Sequence, residues 1–355
     1  MPETLDIVVP VYRGEAETRA CLQSVFASAN RRPIEVVVIN DASPEPAISA
    51  WLEHLATEGK ITLITHPVNL GFVAGVNAGM ALHPTRDVIL LNSDTEVGPG
   101  WVDRIGAHFG RDATIGTLTP FSNNATICSY PKMLAANAIP LGETAATLDA
   151  ACAAANAGRT VDVPTGVGFC MAISRKCLDR VGPFDLERYG AGYGEEVDFC
   201  MRAARAGFRN VLAGDVFVRH VGEISFGGSG ADRRARAQAM VDSLYPEFQQ
   251  QLATFIPADP PRMMRRRVDL QRLRGHRHAL VMAQENGYTR LTWPHPGEDF
   301  VLWLETARDA RKLSGLLSWL DSSGEPMPEI EPRWLAAPTG PPSPMGLAER
   351  LRRLF

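Results

Sequence analysis

Short β-branched runs alternate with longer segments of helical period through the first 110 residues. Leu5 to Val9 reads as a strand, followed by a helix from Glu15 to Ala29 with Ala20, Cys21, Val25 and Phe26 on one face. The same reading gives strand Ile34 to Ile39, helix Ala47 to Thr57, strand Ile61 to Thr65 and helix Phe72 to Leu82. Strand Asp87 to Leu91 and helix Gly100 to Phe109 complete the series. The strands are apolar throughout rather than alternating. That is the pattern of a mostly parallel sheet covered by helices on both faces, an α/β fold.

The rhythm loosens after Thr119, where residues 122 to 160 are rich in Asn, Ala and Thr around a weak helix near 143 to 157. Order returns with a strand at Gly168 to Ser174 and a short helix at Arg175 to Val181. A Gly/Pro-dense loop (182 to 194) then leads into a helix from Glu195 to Ala206. Asn210 to His220 supplies one or two strands, glycine-rich residues 222 to 231 read as mobile, and a helix from about Arg233 to Ala253 closes a domain spanning 1–256. Pro257, Pro260 and Pro261 break the chain and open an accessory region, 257–355, of unassigned fold. It holds an arginine run from Arg262 to Arg277, strands at Ala279 to Ala283 and Phe300 to Glu305, irregular Pro-rich residues 323 to 345, and a short amphipathic helix at Leu347 to Phe355.

Composition narrows the classes. A net charge of -4 over 355 residues gives no global basic field, so nucleic acid is not expected as a partner. Six cysteines without a paired C-x-x-C spacing suggest reduced thiols in a cytoplasmic compartment rather than zinc or disulfides. MPETLDIVVP lacks the basic start and apolar run of a signal peptide, and no apolar stretch approaches the roughly 20 residues of a membrane span. The arginine run reads by default as a solvated face. Its alternative is peripheral contact with the inner face of a membrane or with a phosphate-bearing, lipid-linked acceptor.

Ligands of an open parallel sheet bind beyond the carboxyl ends of its strands. Asp41 and Asp94 fall there. Asp41 could accept a hydrogen bond from a base N–H, and Asp94 could hold a hard divalent cation bridging a diphosphate. Read singly, each is also ordinary turn or cap chemistry. A third element, Tyr189-Gly-Ala-Gly-Tyr-Gly-Glu195-Glu196-Val-Asp198, opens a helix with three acids in its first turn. Such acids suit the helix dipole, but three within four residues repel, which raises at least one pKa. Asp198 has Arg202 four residues on, whereas Glu196 lacks an obvious local partner and is the candidate general base. His220 ends a strand before a glycine loop, where a histidine is commonly structural but can ligate a cation or a diphosphate.

The series Val9-Pro10-Val-Tyr12, Ile39-Asn-Asp41-Ala-Ser43, Asn69-Leu-Gly71-Phe72 with Asn77, Leu91-Asn92-Ser93-Asp94-Thr, Gly194-Glu195-Glu196-Val-Asp198 and His220 resembles family-2 glycosyltransferases with the GT-A fold. It is most similar to their rhamnosyltransferase-like branch, over roughly residues 5 to 228. The resemblance implies that Pro10, Tyr12 and Asp41 cradle the base and ribose of a pyrimidine nucleotide. It places Gly71, Phe72 and Asn77 along that nucleotide and Asn92-Ser93-Asp94 at the D-x-D-type metal motif. Glu196 falls on the catalytic base, His220 on a metal or diphosphate position, and Gly166 to Met171 beside the acceptor, with Glu195 and Asp198 supporting. Two residues depart from the family's pattern: Asn92 replaces the first acid of the metal motif, and Glu196 stands where Asp is commoner.

The implied activity is inverting transfer of a hexosyl or deoxyhexosyl group from a nucleoside-diphosphate sugar to a hydroxyl of a saccharide or glycolipid, with Mn²⁺ or Mg²⁺ as cofactor. A catalytically weak or inactive nucleotide-sugar-binding paralogue is the rival from another class. A nucleotidyltransferase would need a glycine-rich basic loop after the first strand, which Val9-Pro-Val-Tyr-Arg-Gly does not supply. A dinucleotide dehydrogenase would need G-x-G-x-x-G there. Gly71, Gly75 and Gly79 are instead spaced by four along a helix, as close packing requires.

Overall fold

A computed structural model describes residues 4–140, 142–190, 192–222, 230–293, 300–322 and 325–338. The chain divides into two units, Met1–Pro261 and Arg262–Phe355. The first unit runs β1 (Leu5–Val11), α1 (Glu15–Ala27), β2 (Ile34–Asn40), α2 (Pro46–Thr57), β3 (Thr62–Thr65), α3 (Phe72–Ala81), β4 (Val88–Leu91), β5 (Thr95–Val97), α4 (Trp101–Arg111) and β6 (Ile115–Phe121). It continues with α5 (Ala145–Asn156), β7 (Thr160–Asp162), β8 (Cys170–Ile173), α6 (Arg175–Val181), α7 (Leu186–Tyr189), α8 (Glu195–Arg205), β9 (Arg209–His220), α9 (Gly230–Leu244) and α10 (Pro246–Ala258).

Among the described residues its nine strands form one sheet in the order β3-β2-β1-β4-β8-β6-β9-β5, with β7 also on β9. β3, β2, β1 and β4 are parallel, β8 runs against β4 and β6, and β6 and β9 are parallel to each other. The apolar strands are apolar because both faces are covered: Val8, Val37, Ile39 and Leu90 share a core with Val73, Val76 and Met80 of α3 and Phe199 of α8. The glycines of α3 permit this contact. A Cβ at Gly79 would lie 2.5 Å from Cγ1 of Val8, and one at Gly75 would lie 3.3 Å from Cγ2 of Ile39. The six cysteines are buried thiols.

Two expectations change at the end of this unit. The single helix over 233 to 253 is two, α9 and α10, broken at Tyr245-Pro246. Proline fixes its own φ and excludes the helical region for the residue before it, and Tyr245 accordingly sits at φ -135°, ψ 64°. Pro257, expected as a breaker, lies inside the last turn of α10, which ends on left-handed Asp259. The mobility expected of 222 to 231 concerns mainly residues 223–229, which lie outside the described residues.

The second unit contains α11 (Arg262–Leu273), β10 (Val281–Glu285), β11 (Tyr288–Trp293), β12 (Phe300–Glu305) and α12 (Ala310–Asp321). β10, β11 and β12 form an antiparallel sheet in that order. Leu291, Leu302 and Leu304 pack with Leu270, Leu273, Leu316, Trp319 and Trp334. β11 and α12 were not read from the sequence. The Asn286-Gly287 turn, with φ of 49° and 82°, is the type of signal that would have given the hairpin. Part of the arginine run, which the sequence suggested as a solvated or membrane-facing stretch, is turned inward, and the rest is half-buried. Arg265 and Arg266 are only 2% and 3% exposed, and Arg266 pairs with Asp269 at 3.0 Å. Arg262 donates to the Leu335 carbonyl, Arg272 stacks on Trp293, Arg274 on Trp319, and Arg277 pairs with Asp321. No helix among the described residues is long and apolar enough to cross a membrane. The helix expected at Leu347 to Phe355 lies outside the described residues.

Candidate functional site

The carboxyl ends of β1 and β2 lie side by side, because Asp41 N–H extends their ladder by donating to the Val11 carbonyl at 2.9 Å. Pro10, Tyr12 and Asp41 therefore leave the sheet at one edge. Pro10 and Tyr12 are half-buried, and Arg13 covers the Tyr12 ring at 5.3 Å. The Asp41 carboxylate, 7% exposed, is a clamp. Oδ1 accepts from Leu70 N–H at 2.8 Å and meets His66 Nδ1 at 2.8 Å, while Oδ2 accepts from Gly71 N–H at 2.8 Å. Gly71, at φ 86°, is in a region that favours glycine, and it launches α3 with half-buried Phe72 as first residue. His66, assigned nothing from sequence, joins the edge because it directly follows β3. Asn77 spends both ends of its amide on Phe184, accepting from its N–H at 3.0 Å and donating to its carbonyl at 2.8 Å. It thus ties α3 to the loop leading toward α8.

Asp94 and His220, 126 residues apart in the chain, meet because β5 pairs antiparallel with β9, Thr95 opposite His220. Asp94 Oδ2 lies 3.5 Å from His220 Nε2 and accepts from Gly222 N–H at 2.8 Å. The Asp94 carbonyl accepts from Val221 N–H at 3.0 Å. His220 Nδ1 faces the Asn124 carbonyl at 2.7 Å, which must receive a proton, and the ring stacks on Phe169 at 5.2 Å. In the neutral ring the lone pair then falls on Nε2 and points toward a carboxylate oxygen. Two acceptors facing each other, one fixed by a carbonyl behind it, is the arrangement that a divalent cation satisfies. The 3.5 Å separation is close to the about 3 Å that two adjacent ligands span in an octahedral shell at about 2.1 Å. Gly222, at φ 84°, holds a backbone conformation that favours glycine, and a Cβ there would lie 2.4 Å from Asn124 Nδ2. The residues present therefore fit a cation. Asn92 serves this corner with its main chain, donating to the Phe169 carbonyl at 2.8 Å and accepting from Thr95 Oγ1 at 2.7 Å; Ser93 is buried next to it.

The third part is the start of α8. Gly194, at φ 87°, ends the glycine-rich loop and begins the helix. Asp198 is taken up locally, accepting from Arg202 Nε at 2.7 Å and from the Tyr245 hydroxyl at 2.6 Å. Glu195 is 5% exposed, and one carboxylate oxygen of each of Glu195 and Glu196 is buried without a hydrogen-bond partner. Burial, and then the Glu196 carboxylate beside it, push Glu195 well above the usual carboxylate range. Burial raises Glu196 as well, opposed by hydrogen bonds from the helix start and from Glu195. Glu196 thus has a local partner that the helical spacing did not reveal. One short segment joins the parts. Gly166 N–H contacts Cys200 Sγ of α8 at 3.1 Å, while Phe169 holds both Asn92 and the His220 ring. Gly166 itself is buried, with Thr119 Oγ1 3.0 Å from where a Cβ would sit.

Another acidic cluster is a different feature. Asp6, Glu35 and His83 bring ligand-type atoms within 4.8 Å of one another. They lie at the amino ends of β1 and β2, the opposite edge from Asp41. Arg86 Nη1 already sits among them, 2.9 Å from Asp6 and 2.6 Å from Glu35, and holds Glu35 below its ordinary range. That is an ion-pair network complete without a metal.

Residues 6–182 match Glycosyl transferase family 2. An uncharacterized protein of Mycobacterium tuberculosis is 25% identical over 224 residues, covering 62% of this chain and 74% of that protein. The N-acetylglucosaminyl-diphospho-decaprenol L-rhamnosyltransferase of the same species is 26% identical over 241 residues, 62% of this chain and 76% of that enzyme. Among solved structures, GalNAc-T7 with UDP, GalNAc and Mn²⁺ superposes with a TM-score of 0.53 at 15% identity, over 86% of this chain and 67% of that one. With the sheet order and the family match in agreement, the chain belongs to glycosyltransferase family 2 and carries its GT-A fold, with a rhamnosyltransferase among its relatives.

Proposed function

We propose that the protein transfers a hexosyl or deoxyhexosyl group from a nucleoside-diphosphate sugar to an acceptor hydroxyl with inversion, Glu196 acting as general base. The observation that carries this reading is the Glu195–Glu196 pair at the start of α8, Glu195 buried and Glu196 half-buried, each with a buried oxygen that has no hydrogen-bond partner. Burying two carboxylates together costs stability, and such a cost is borne where a proton has to be taken up. A raised pKa makes Glu196 a stronger base than an ordinary glutamate, which suits removal of a hydroxyl proton. As the acceptor oxygen attacks the anomeric carbon, Glu196 takes its proton and the bond to the nucleoside diphosphate breaks on the far side.

Asp94 and His220 are the residues that would hold Mn²⁺ or Mg²⁺, whose contribution when bound is to offset charge growing on the departing diphosphate. Pro10, Tyr12, Asp41, Gly71 and Phe72 bound the edge proposed for the nucleotide, a pyrimidine nucleotide by the family resemblance. Asp41 acts there chiefly by fixing the 66–71 loop. The acceptor approaches past Gly166 and α8, with Asp198 supporting the helix. The lipid-linked saccharide in the rhamnosyltransferase relative's name supports a saccharide or glycolipid acceptor.

Glu196→Ala tests the reading. Transfer should fall on the order of a hundredfold to ten-thousandfold, with nucleoside-diphosphate binding retained. Transfer at the wild-type rate removes Glu196 from the chemistry. Donor binding without turnover in the wild-type chain identifies instead a nucleotide-sugar-binding protein.

A further inference from the structure

We propose that Asn123 is a positioning residue for the cation site, holding the main chain of His220 so that Nε2 stays aimed at Asp94. This rests on the reading of Asp94 and His220 as cation ligands. β6 and β9 run parallel only as far as Phe121 opposite Phe217, with a register shift just before. His220 lies three residues beyond, paired to β5 on one edge but past the reach of β6 on the other. The Asn123 side chain fills that edge. Its Oδ1 accepts from His220 N–H at 2.8 Å and its Nδ2 donates to the His220 carbonyl at 2.9 Å, as a neighbouring strand would.

The same loop also fixes the ring. Asn124, next in sequence, presents its carbonyl to His220 Nδ1 at 2.7 Å. Asn123 in turn is held by Asn137, whose N–H and Nδ2 reach the Asn123 carbonyl at 2.8 and 3.1 Å. Residues 122–137 thus form a compact loop whose side-chain amides, rather than a strand, set the backbone of a ligand. Partners behind a metal-binding histidine fix its orientation, and their loss typically weakens metal binding about 10- to 100-fold.

The test is Mn²⁺ titration of the full chain by electron paramagnetic resonance, comparing wild type, Asn123→Ala, Asn123→Asp and His220→Ala. Thermal melts in chelator establish that each is folded. Asn123→Asp keeps the acceptor for His220 N–H and loses the donor to its carbonyl, so it carries the test where Asn123→Ala does not fold. Expected is a Mn²⁺ affinity about 10- to 100-fold weaker in Asn123→Ala, with Asn123→Asp between it and wild type. Binding of nucleoside diphosphate in chelator should be unchanged, which a general loss of structure would not allow. If the Asn123 variants bind Mn²⁺ within about twofold of wild type, well inside the span expected for such partners, while His220→Ala loses it, Asn123 has no positioning role and the cation site stands. If His220→Ala also binds like wild type, the cation reading falls and this proposal with it.

Discussion

The Tyr245 hydroxyl donates to Asp198 Oδ1 at 2.6 Å, joining the residue where α9 gives way to α10 with the first turn of α8. Asp198 is 1% exposed and takes its second bond from Arg202. Burial and the Asp198 carboxylate push the Tyr245 phenol up to about 12, so it stays a donor throughout the working range. Tyr245→Phe leaves half of a buried carboxylate without its partner. The expected loss is about 1.5–3 kcal/mol for a hydrogen bond to a charged group, read as a lower urea midpoint with unchanged slope. An unchanged midpoint would mean that Arg202 alone satisfies Asp198.

Glu195 gives a stability prediction with a definite sign. Its folded pKa is raised by burial and by Glu196, above the roughly 4.3 of an unfolded glutamate. The stability tied to its protonated form is fully present below that unfolded value and is lost as pH rises through the folded one. Glu195→Gln removes the ionisation, so it should melt higher than wild type at neutral pH, with the gap closing toward pH 4. A domain of this size shifts by roughly 2–4 °C per kcal/mol, so a few degrees is the expected scale. Equal Tm values across the range would show that the pair is not strained when ionised.

The clamp at Asp41 predicts a binding phenotype. In Asp41→Asn the new NH₂ faces donors, since Leu70, Gly71 and His66 all converge on this carboxylate. One buried donor left unsatisfied costs about 1–3 kcal/mol. The 66–71 loop should loosen and nucleoside-diphosphate affinity, measured by calorimetry, should fall about 5- to 150-fold by the same energy range. Affinity equal to wild type would detach this loop from the nucleotide.

Two glycines on helices provide a paired test of packing. Gly79→Ala places a Cβ 2.5 Å from Val8, against the centre of the sheet, and should destabilise by about 1–3 kcal/mol through overpacking. Gly110→Ala, near the end of α4, meets nothing within 4 Å and should stabilise by about 0.4–1 kcal/mol. Chemical denaturation of both variants checks the pair; the same sign for each would contradict the close contact of α3 with β1.

β1, β2 and β4 were legible because both of their faces are covered, so apolar residues dominate their runs, whereas β3, at the sheet edge, is only half-buried. Asp41, Asp94 and Glu196 were legible because each follows a strand or opens a helix, where a sequence pattern has punctuation. The partners of Asp41, Asp198 and His220 were not. His66, Asn123, Asn124 and Tyr245 act across 25 to 97 residues of chain, through loops with no period to read. The inward turn of Arg265 and Arg266 escaped for a related reason. A charge run looks solvated until the carboxylate at Asp269 and the aromatic rings of its unit are brought alongside.

β9 carries a consequence for the order in which the site can come into being. The edge proposed for the nucleotide lies within β1, β2, β3 and the start of α3, all made before residue 75. The glutamate proposed as base and His220 arrive only with α8 and β9, beyond residue 194. A nascent chain therefore makes the edge proposed for the donor long before the helix proposed to carry the base. Under the proposed roles, removal of the acceptor proton waits for α8, and cation binding waits for the strand that adds His220.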